Sequence, residues 1–176
     1  MSGAACLADV FRYVLVLVFA LSAAGKLRRF RFFNQTLTDF APIPAPVAPA
    51  AAIAVVLAEV AVCLGLVASD TKSRQVALGG ALVMLVVFTG VLAVALASGS
   101  AASCSCFGAS RHEISGYDLG RNLALVGASA FAFMHDGAGG GDPLRAALLG
   151  GVAAILAVLL LHLGTVGALI APPSPD

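Results

Sequence analysis

The chain has 176 residues, of which 60% are hydrophobic and 11% are charged, and its mean hydropathy is +1.02. A water-soluble domain of this size buries only about two-thirds of its surface and could not hide so many apolar side chains, so we predict an integral membrane protein. The formal net charge of +1 gives no indication of a nucleic-acid partner, and none is expected.

The apolar runs predict a single all-α membrane domain over residues 1–176, a bundle of about five transmembrane helices. The first apolar run is followed, rather than preceded, by basic residues, which argues against a cleaved signal peptide. The predicted spans are 10–27, 47–68, 76–97, 116–134 and 146–170, with a polar turn over 69–74.

The segment 28–40, between the first and second spans, alternates arginine with phenylalanine and is followed by several prolines. Apolar side chains spaced three and four residues apart fall on one face of a helix. This pattern predicts an amphipathic helix lying at the membrane interface. The apolar face consists of Phe30, Phe33, Leu37 and Phe40.

Cys104 and Cys106 are separated by a single residue in the polar segment 98–117, which we call the cysteine segment. A thiolate is the reactive form of cysteine, and nearby positive charge or a helix N-terminus favours it. A disulfide across one residue closes a small, strained ring that exchanges readily. The pair therefore predicts thiol–disulfide exchange; the alternatives are two permanently reduced cysteines or a metal site that includes His112.

Glu59 lies near the middle of the second predicted span, where a carboxylate needs a proton or a partner. Lys26, at the end of the first span, is the candidate partner, although its long side chain could instead reach the headgroups. Cys63 lies one turn after Glu59 on the same face, and we interpret it as a small buried residue. His162, in the fifth span, is interpreted as a neutral imidazole bonded to a backbone carbonyl. Glu59 is expected either to pair two helices or to act chemically.

Several of these features occur in an order found in a known family. They are Gly25-Lys26, the aromatic-basic linker, Glu59, the run Cys104-Ser105-Cys106-Phe107-Gly108, and Arg121-Asn122 at the start of the fourth span. This order resembles the MauE family, the methylamine utilisation proteins related to DoxX membrane proteins. The resemblance covers about residues 10–135, and its specific part is the cysteine-Phe-Gly element with the Arg-Asn pair.

The resemblance implies a helper in forming or maturing disulfides in an exported partner, such as the small subunit of methylamine dehydrogenase, alongside a thioredoxin-like protein. Under this reading Cys104 and Cys106 are catalytic, and Phe107 and Gly108 shape the turn. Arg121 favours the thiolate, and with Asn122 it can hold the segment.

The layout is also similar to membrane disulfide-generating enzymes of the vitamin K epoxide reductase and DsbB kinds. By analogy with them, a quinone between the helices is the expected electron acceptor. Those enzymes carry further cysteines near their first loop, which this chain lacks. Cys63 could replace them only if its helix brings it near the cysteine segment.

Two indications disagree about the side of the plasma membrane that the cysteine segment faces. Lysine and arginine are more numerous on its side, which by the positive-inside rule places it in the cytoplasm. The resemblance places it outside the cytoplasm, and this is the orientation we expect.

Two alternatives to an oxidoreductase stay open. One is a non-enzymatic DoxX-like scaffold that binds a redox partner. The other is a metal-binding or small-solute membrane protein centred on Glu59, His162 and the cysteine segment.

Overall fold

A computed structural model of the chain describes residues 3–40, 44, 46–97, 116–135 and 148–158. The described elements are all α-helices, which agrees with the predicted all-α class. They are α1 (Gly3–Arg28), α2 (Phe30–Phe40), α3 (Ala48–Val67), α4 (Thr71–Ala97), α5 (Gly116–His135) and α6 (Leu148–Val158).

Three of the described helices, α1, α3 and α4, are long and apolar enough to cross a membrane. Helix α5 has 20 residues but is not among the three, because its first turns contain polar residues such as Asp118 and Arg121. Helix α6 is apolar and shorter. The chain is therefore a multi-pass helical membrane protein, and the prediction of five spans goes beyond the three that meet this criterion.

The predicted helix boundaries are accurate where polar segments lie directly outside an apolar run. Helix α3 runs from Ala48 to Val67, within one residue of the prediction at each end. Helix α1, in contrast, begins at Gly3 rather than near Val10. Asp9 and Arg12, which interrupt the apolar run, form an ion pair at 3.3 Å within the helix and so do not end it.

The predicted polar turn over 69–74 is wrong beyond Asp70, since α4 begins at Thr71. The backbone N–H of Ser73 donates to Asp70 Oδ2 at 2.8 Å, which caps the first turn of α4. Arg74 Nη1 donates to the carbonyl of Ser69 at 3.0 Å. These bonds satisfy backbone groups at the helix end and allow polar residues to form the first turn.

Neighbouring helices run antiparallel around a shared apolar core. The rings of Phe11 in α1 and Phe131 in α5 pack edge to face at 5.6 Å, which joins the start of α1 to the end of α5. Ser129 of α5 donates to the carbonyl of Leu78, near the start of α4, at 3.3 Å. Buried core residues include Leu15, Val18, Leu66, Leu78, Leu85 and Leu125.

Helices α3 and α4 approach closely at Gly65. A Cβ atom at this position would lie 2.7 Å from Cβ of Ala77, which is closer than side chains approach each other. Farther along the pair, Gly80 faces Val62. Small residues at such crossings let membrane helices pack backbone to backbone.

These pairings place one set of helix termini together. The end of α1, the whole of α2, the start of α3, the end of α4 and the start of α5 lie at the same end of the bundle, which we call the α2 end. Ala97 and Gly116, the nearest described residues before and after Cys104 and Cys106, therefore both belong to the α2 end.

Candidate functional site

A buried ion pair joins α1 to α3. Lys26, near the end of α1, forms an ion pair with Glu59 in α3, and the side chains of both residues are 0% exposed. Lys26 Nζ also donates to Ser22 Oγ at 2.6 Å, and Ser22 Oγ donates to Glu59 Oε1 at 2.9 Å. We call Ser22, Lys26 and Glu59 the ion-pair cluster. The predicted pairing of Glu59 with Lys26 is confirmed.

The sequence explains how α1 presents two of these groups together. Ser22 and Lys26 are four residues apart, so they lie on the same face of the helix. A lone ammonium or carboxylate in an apolar interior is strongly unfavourable, whereas a hydrogen-bonded pair offsets much of that penalty. The two charges therefore constrain α1 and α3 to one relative position.

Two aromatic rings enclose the ammonium group. Lys26 Nζ lies 5.4 Å from the ring centroid of Phe33 in α2 and 5.2 Å from that of Phe88 in α4. Both distances are within the range of cation–π attraction. The cluster thus brings four helices together, and it holds the buried face of α2 against the bundle.

The carboxylate of Glu59 is only partly satisfied within the described chain. Its Oε2 atom is buried and has no hydrogen-bond partner among the described residues. Because the ammonium is surrounded by Glu59, Ser22 and the two rings, it is closed to a substrate. The arrangement fits a positioning role better than a catalytic one.

Cys63 lies on the same helix as Glu59 but farther from the α2 end. Its thiol donates to the carbonyl of Val16 at 3.7 Å and is half-buried. The residue lies about 22 Å along α3 from Ala48, at the usual rise per residue. Helix α3 therefore does not carry Cys63 to the α2 end, and the structure gives no support to Cys63 as a replacement for the missing first-loop cysteines.

Arg121 and Asn122 lie near the start of α5, at the α2 end. Arg121 Nη2 is 3.4 Å from Asp118 Oδ1 in the same helix. Asn122 is 2% exposed, and its Oδ1 has no hydrogen-bond partner among the described residues. Their predicted roles beside the cysteine segment stay predictions.

The other predicted site residues lie outside the part of the chain that the structure describes. Within the described ranges, no group of three or more His, Cys, Asp and Glu side chains could hold a metal ion. The predicted residues outside these ranges are Cys104, Cys106, Phe107, Gly108, His112 and His162.

Sequence reasoning missed three members of the site, of which Phe33 was predicted only as part of the apolar face of an interfacial helix. Ser22 could have been found from its spacing of four residues from Lys26, which is the spacing that places a hydroxyl beside an ammonium on one helix face. Phe88 gave no such signal, because it is one apolar residue among many in α4.

The fold and the ion-pair cluster define a multi-pass helical membrane protein whose spans are fixed by a buried pair of charges. Residues 4–135 match the family model of the methylamine utilisation protein MauE. The match covers more than half of the chain, so the protein belongs to the MauE family, as the resemblance predicted. No curated protein and no solved structure shows a significant match to the chain.

Proposed function

We propose that this MauE-family protein is a membrane thiol–disulfide oxidoreductase that supports disulfide formation in an exported partner through Cys104 and Cys106. The observation that carries the proposal is the position of the two cysteines within the family match, between helices α4 and α5. The flanking residues Ala97 and Gly116 belong to one end of the bundle, which a reaction at one membrane surface requires.

The proposed exchange transfers two electrons from the partner to the disulfide of Cys104 and Cys106. A partner thiolate attacks one of the two sulfurs, so that a mixed disulfide forms and the other cysteine leaves as a thiolate. A second partner thiolate then attacks the mixed disulfide. The partner gains a disulfide, and both cysteines of this chain end as thiols after taking up the two protons that the partner thiols released.

A second two-electron step must restore the disulfide, and we assign a membrane quinone as the acceptor. The two thiols lose two electrons and two protons, and the quinone becomes a quinol. The Lys26 ammonium is enclosed by its own partners, so we do not assign it to the quinone site. The quinone is therefore a co-substrate proposed by analogy.

The partner in this proposal is an exported protein with cysteines, or a thioredoxin-like protein that acts on it, in methylamine utilisation. Both belong on the extracytoplasmic side, so we propose that the cysteine segment faces that side of the plasma membrane. Treating intact cells with a membrane-impermeant reductant and then a membrane-impermeant maleimide, after replacing Cys6 and Cys63 by serine, measures the orientation. Labelling that appears only after lysis contradicts it.

The decisive experiment follows the redox state of the two cysteines and of a partner. Cys104→Ser and Cys106→Ser should each abolish partner oxidation, and one of them should accumulate a mixed disulfide that non-reducing gels and mass spectrometry detect. Cys63→Ser is the matched control, because its thiol is half-buried and bonded to Val16. This control should keep full activity.

Two outcomes would contradict the proposal. Both cysteines could stay reduced in every redox buffer, or both serine variants could oxidise the partner normally. If the variants lose no function and still bind the partner, the scaffold alternative replaces the oxidoreductase.

A further inference from the structure

Three arginines lie together where α1 passes into α2. Arg28 ends α1, Arg29 occupies the break between the helices, and Arg31 lies in the first turn of α2. All three are exposed, in contrast to Lys26, which is only a few residues away and 1% exposed. We call Arg28, Arg29 and Arg31 the arginine cluster.

Helix α2 has two distinct faces, and the ion-pair cluster fixes which one points outward. Phe33 is 5% exposed and rests against the Lys26 ammonium. Its neighbour Phe32 is 40% exposed. Because Phe33 is held by a charge inside the bundle, α2 cannot turn its arginine-bearing side inward without losing that contact.

The arginine cluster lies at the level where an apolar span ends. Helix α1 is one of the three candidate spans, and Leu27, directly before the cluster, is 59% exposed. An apolar side chain, three guanidinium groups and an exposed ring in succession match the change from acyl chains to headgroups at a membrane interface.

We propose that the arginine cluster and Phe32 form a binding surface for anionic lipid headgroups of the surrounding bilayer. Guanidinium groups attract phosphate by their positive charge and can add paired hydrogen bonds, so three of them favour an anionic headgroup. Phe32 and Leu27 contact the adjoining acyl region. The surface holds α2 in the plane of the interface, and its function is independent of the chemistry proposed for the cysteines.

The test is a titration of the purified full chain in a neutral detergent with short-chain phosphatidylglycerol or phosphatidylcholine, with bound lipid counted by native mass spectrometry. The wild type should prefer phosphatidylglycerol, and the preference should weaken as salt is raised. Basic residues beside a membrane each contribute about 5-fold in affinity for an anionic surface, so R28Q/R29Q/R31Q should lose roughly 100-fold. Equal binding of the two lipids by the wild type would overturn the proposal.

A charge-preserving variant provides the matched control. R28K/R29K/R31K keeps the positive charge and should retain most of the preference, whereas Lys72→Gln removes an exposed cation at the other end of the bundle and should change nothing. If the lysine variant loses as much as the glutamine variant, charge is not the cause and the proposal fails. Even if the glutamine variant does not fold, the salt dependence of the wild type's preference for phosphatidylglycerol still tests the proposal.

Discussion

Two ion pairs in the described part of the chain each join one basic and one acidic side chain, but they connect different parts of the fold. Lys26 and Glu59 are 33 residues apart, join two helices and are fully buried. Asp118 and Arg121 are three residues apart in α5, and their side chains are 26% and 11% exposed. The first pair constrains the fold, whereas the second supports a turn of one helix.

The difference lies in what happens when one partner is lost. An unpaired charge in the middle of the bundle cannot be hydrated, so its desolvation penalty lowers the stability of the whole fold. A charge near the end of a helix can be solvated, so its pairing contributes little.

The largest effect is expected from breaking the buried pair. Lys26→Met should lower the free energy of unfolding by about 3–5 kcal/mol, because it leaves the Glu59 carboxylate uncompensated among apolar side chains. Chemical unfolding in detergent measures the loss. A Lys26→Met variant as stable as the wild type would show that the buried pair constrains the fold no more than the exposed pair does.

The matched control removes both charges. The double variant K26M/E59L should recover at least half of the stability lost by Lys26→Met, since no lone charge remains. A double variant that is less stable than either single variant would show that the pair contributes through its packing and not through its charge.

A substitution at Gly65 tests helix packing without changing any charge, and its effect can be compared with that of the buried ion pair. Gly65→Ala should cost about 1–2 kcal/mol, because the new Cβ would lie 2.7 Å from Cβ of Ala77 and force α3 away from α4. Gly90→Ala, in the same helix as Ala77, meets nothing within 4 Å and should be neutral or slightly stabilising. Equal melting temperatures for the two variants would refute the close approach.

A smaller effect is expected for the pair in α5. A double-mutant cycle with Asp118→Asn and Arg121→Gln should give a coupling energy below about 0.5 kcal/mol, because the pair is local and partly exposed. The same cycle at Lys26 and Glu59 should give several times more. Similar coupling energies at the two sites would remove the distinction between them.

The smallest effect concerns the cap of α4. The backbone N–H of Ser73 donates to Asp70 and lowers the pKa of that carboxyl below its ordinary value. A carboxyl with a depressed folded-state pKa stabilises the fold above its unfolded pKa, and this contribution disappears as the pH falls through the folded pKa. Stability should therefore decline below about pH 4.

Asp70→Asn is the control for this decline, because asparagine also caps a helix but does not titrate in this range. The midpoint of unfolding, measured between neutral and acid pH, should fall less in Asp70→Asn than in the wild type. An identical pH dependence in both proteins would exclude Asp70 as the source.

The fold class and the buried pair could be predicted from the sequence because the chain contains few charged residues. A chain with so few charges leaves few possible partners for Glu59, and Lys26 was the one at a suitable position. The ends of α3 were predicted within one residue, since a proline-rich run and a polar turn bound a stretch that is apolar apart from Glu59.

The remaining details depend on contacts that periodicity does not encode. The early start of α1 depends on the pairing of Asp9 with Arg12, and the early start of α4 depends on the cap at Asp70. Phe88 joins the site only because α4 packs against α3 and so brings this ring to 5.2 Å from Lys26 Nζ. The roles assigned to Cys104 and Cys106 stay predictions.

The buried pair also has a consequence for biogenesis. Lys26 emerges from the ribosome well before Glu59, so α1 enters the bilayer carrying an ammonium whose partner has not yet been synthesised. A charge near the centre of a membrane helix raises the insertion free energy by about 2.5–3.5 kcal/mol, and Glu59 lies at that depth in α3, whereas Lys26 lies closer to the end of α1. When α1 and α3 meet, the pairing of Lys26 with Glu59 offsets this insertion free energy, so correct assembly is favoured during synthesis. A chain whose two helices stay apart retains both charges unpaired in the membrane.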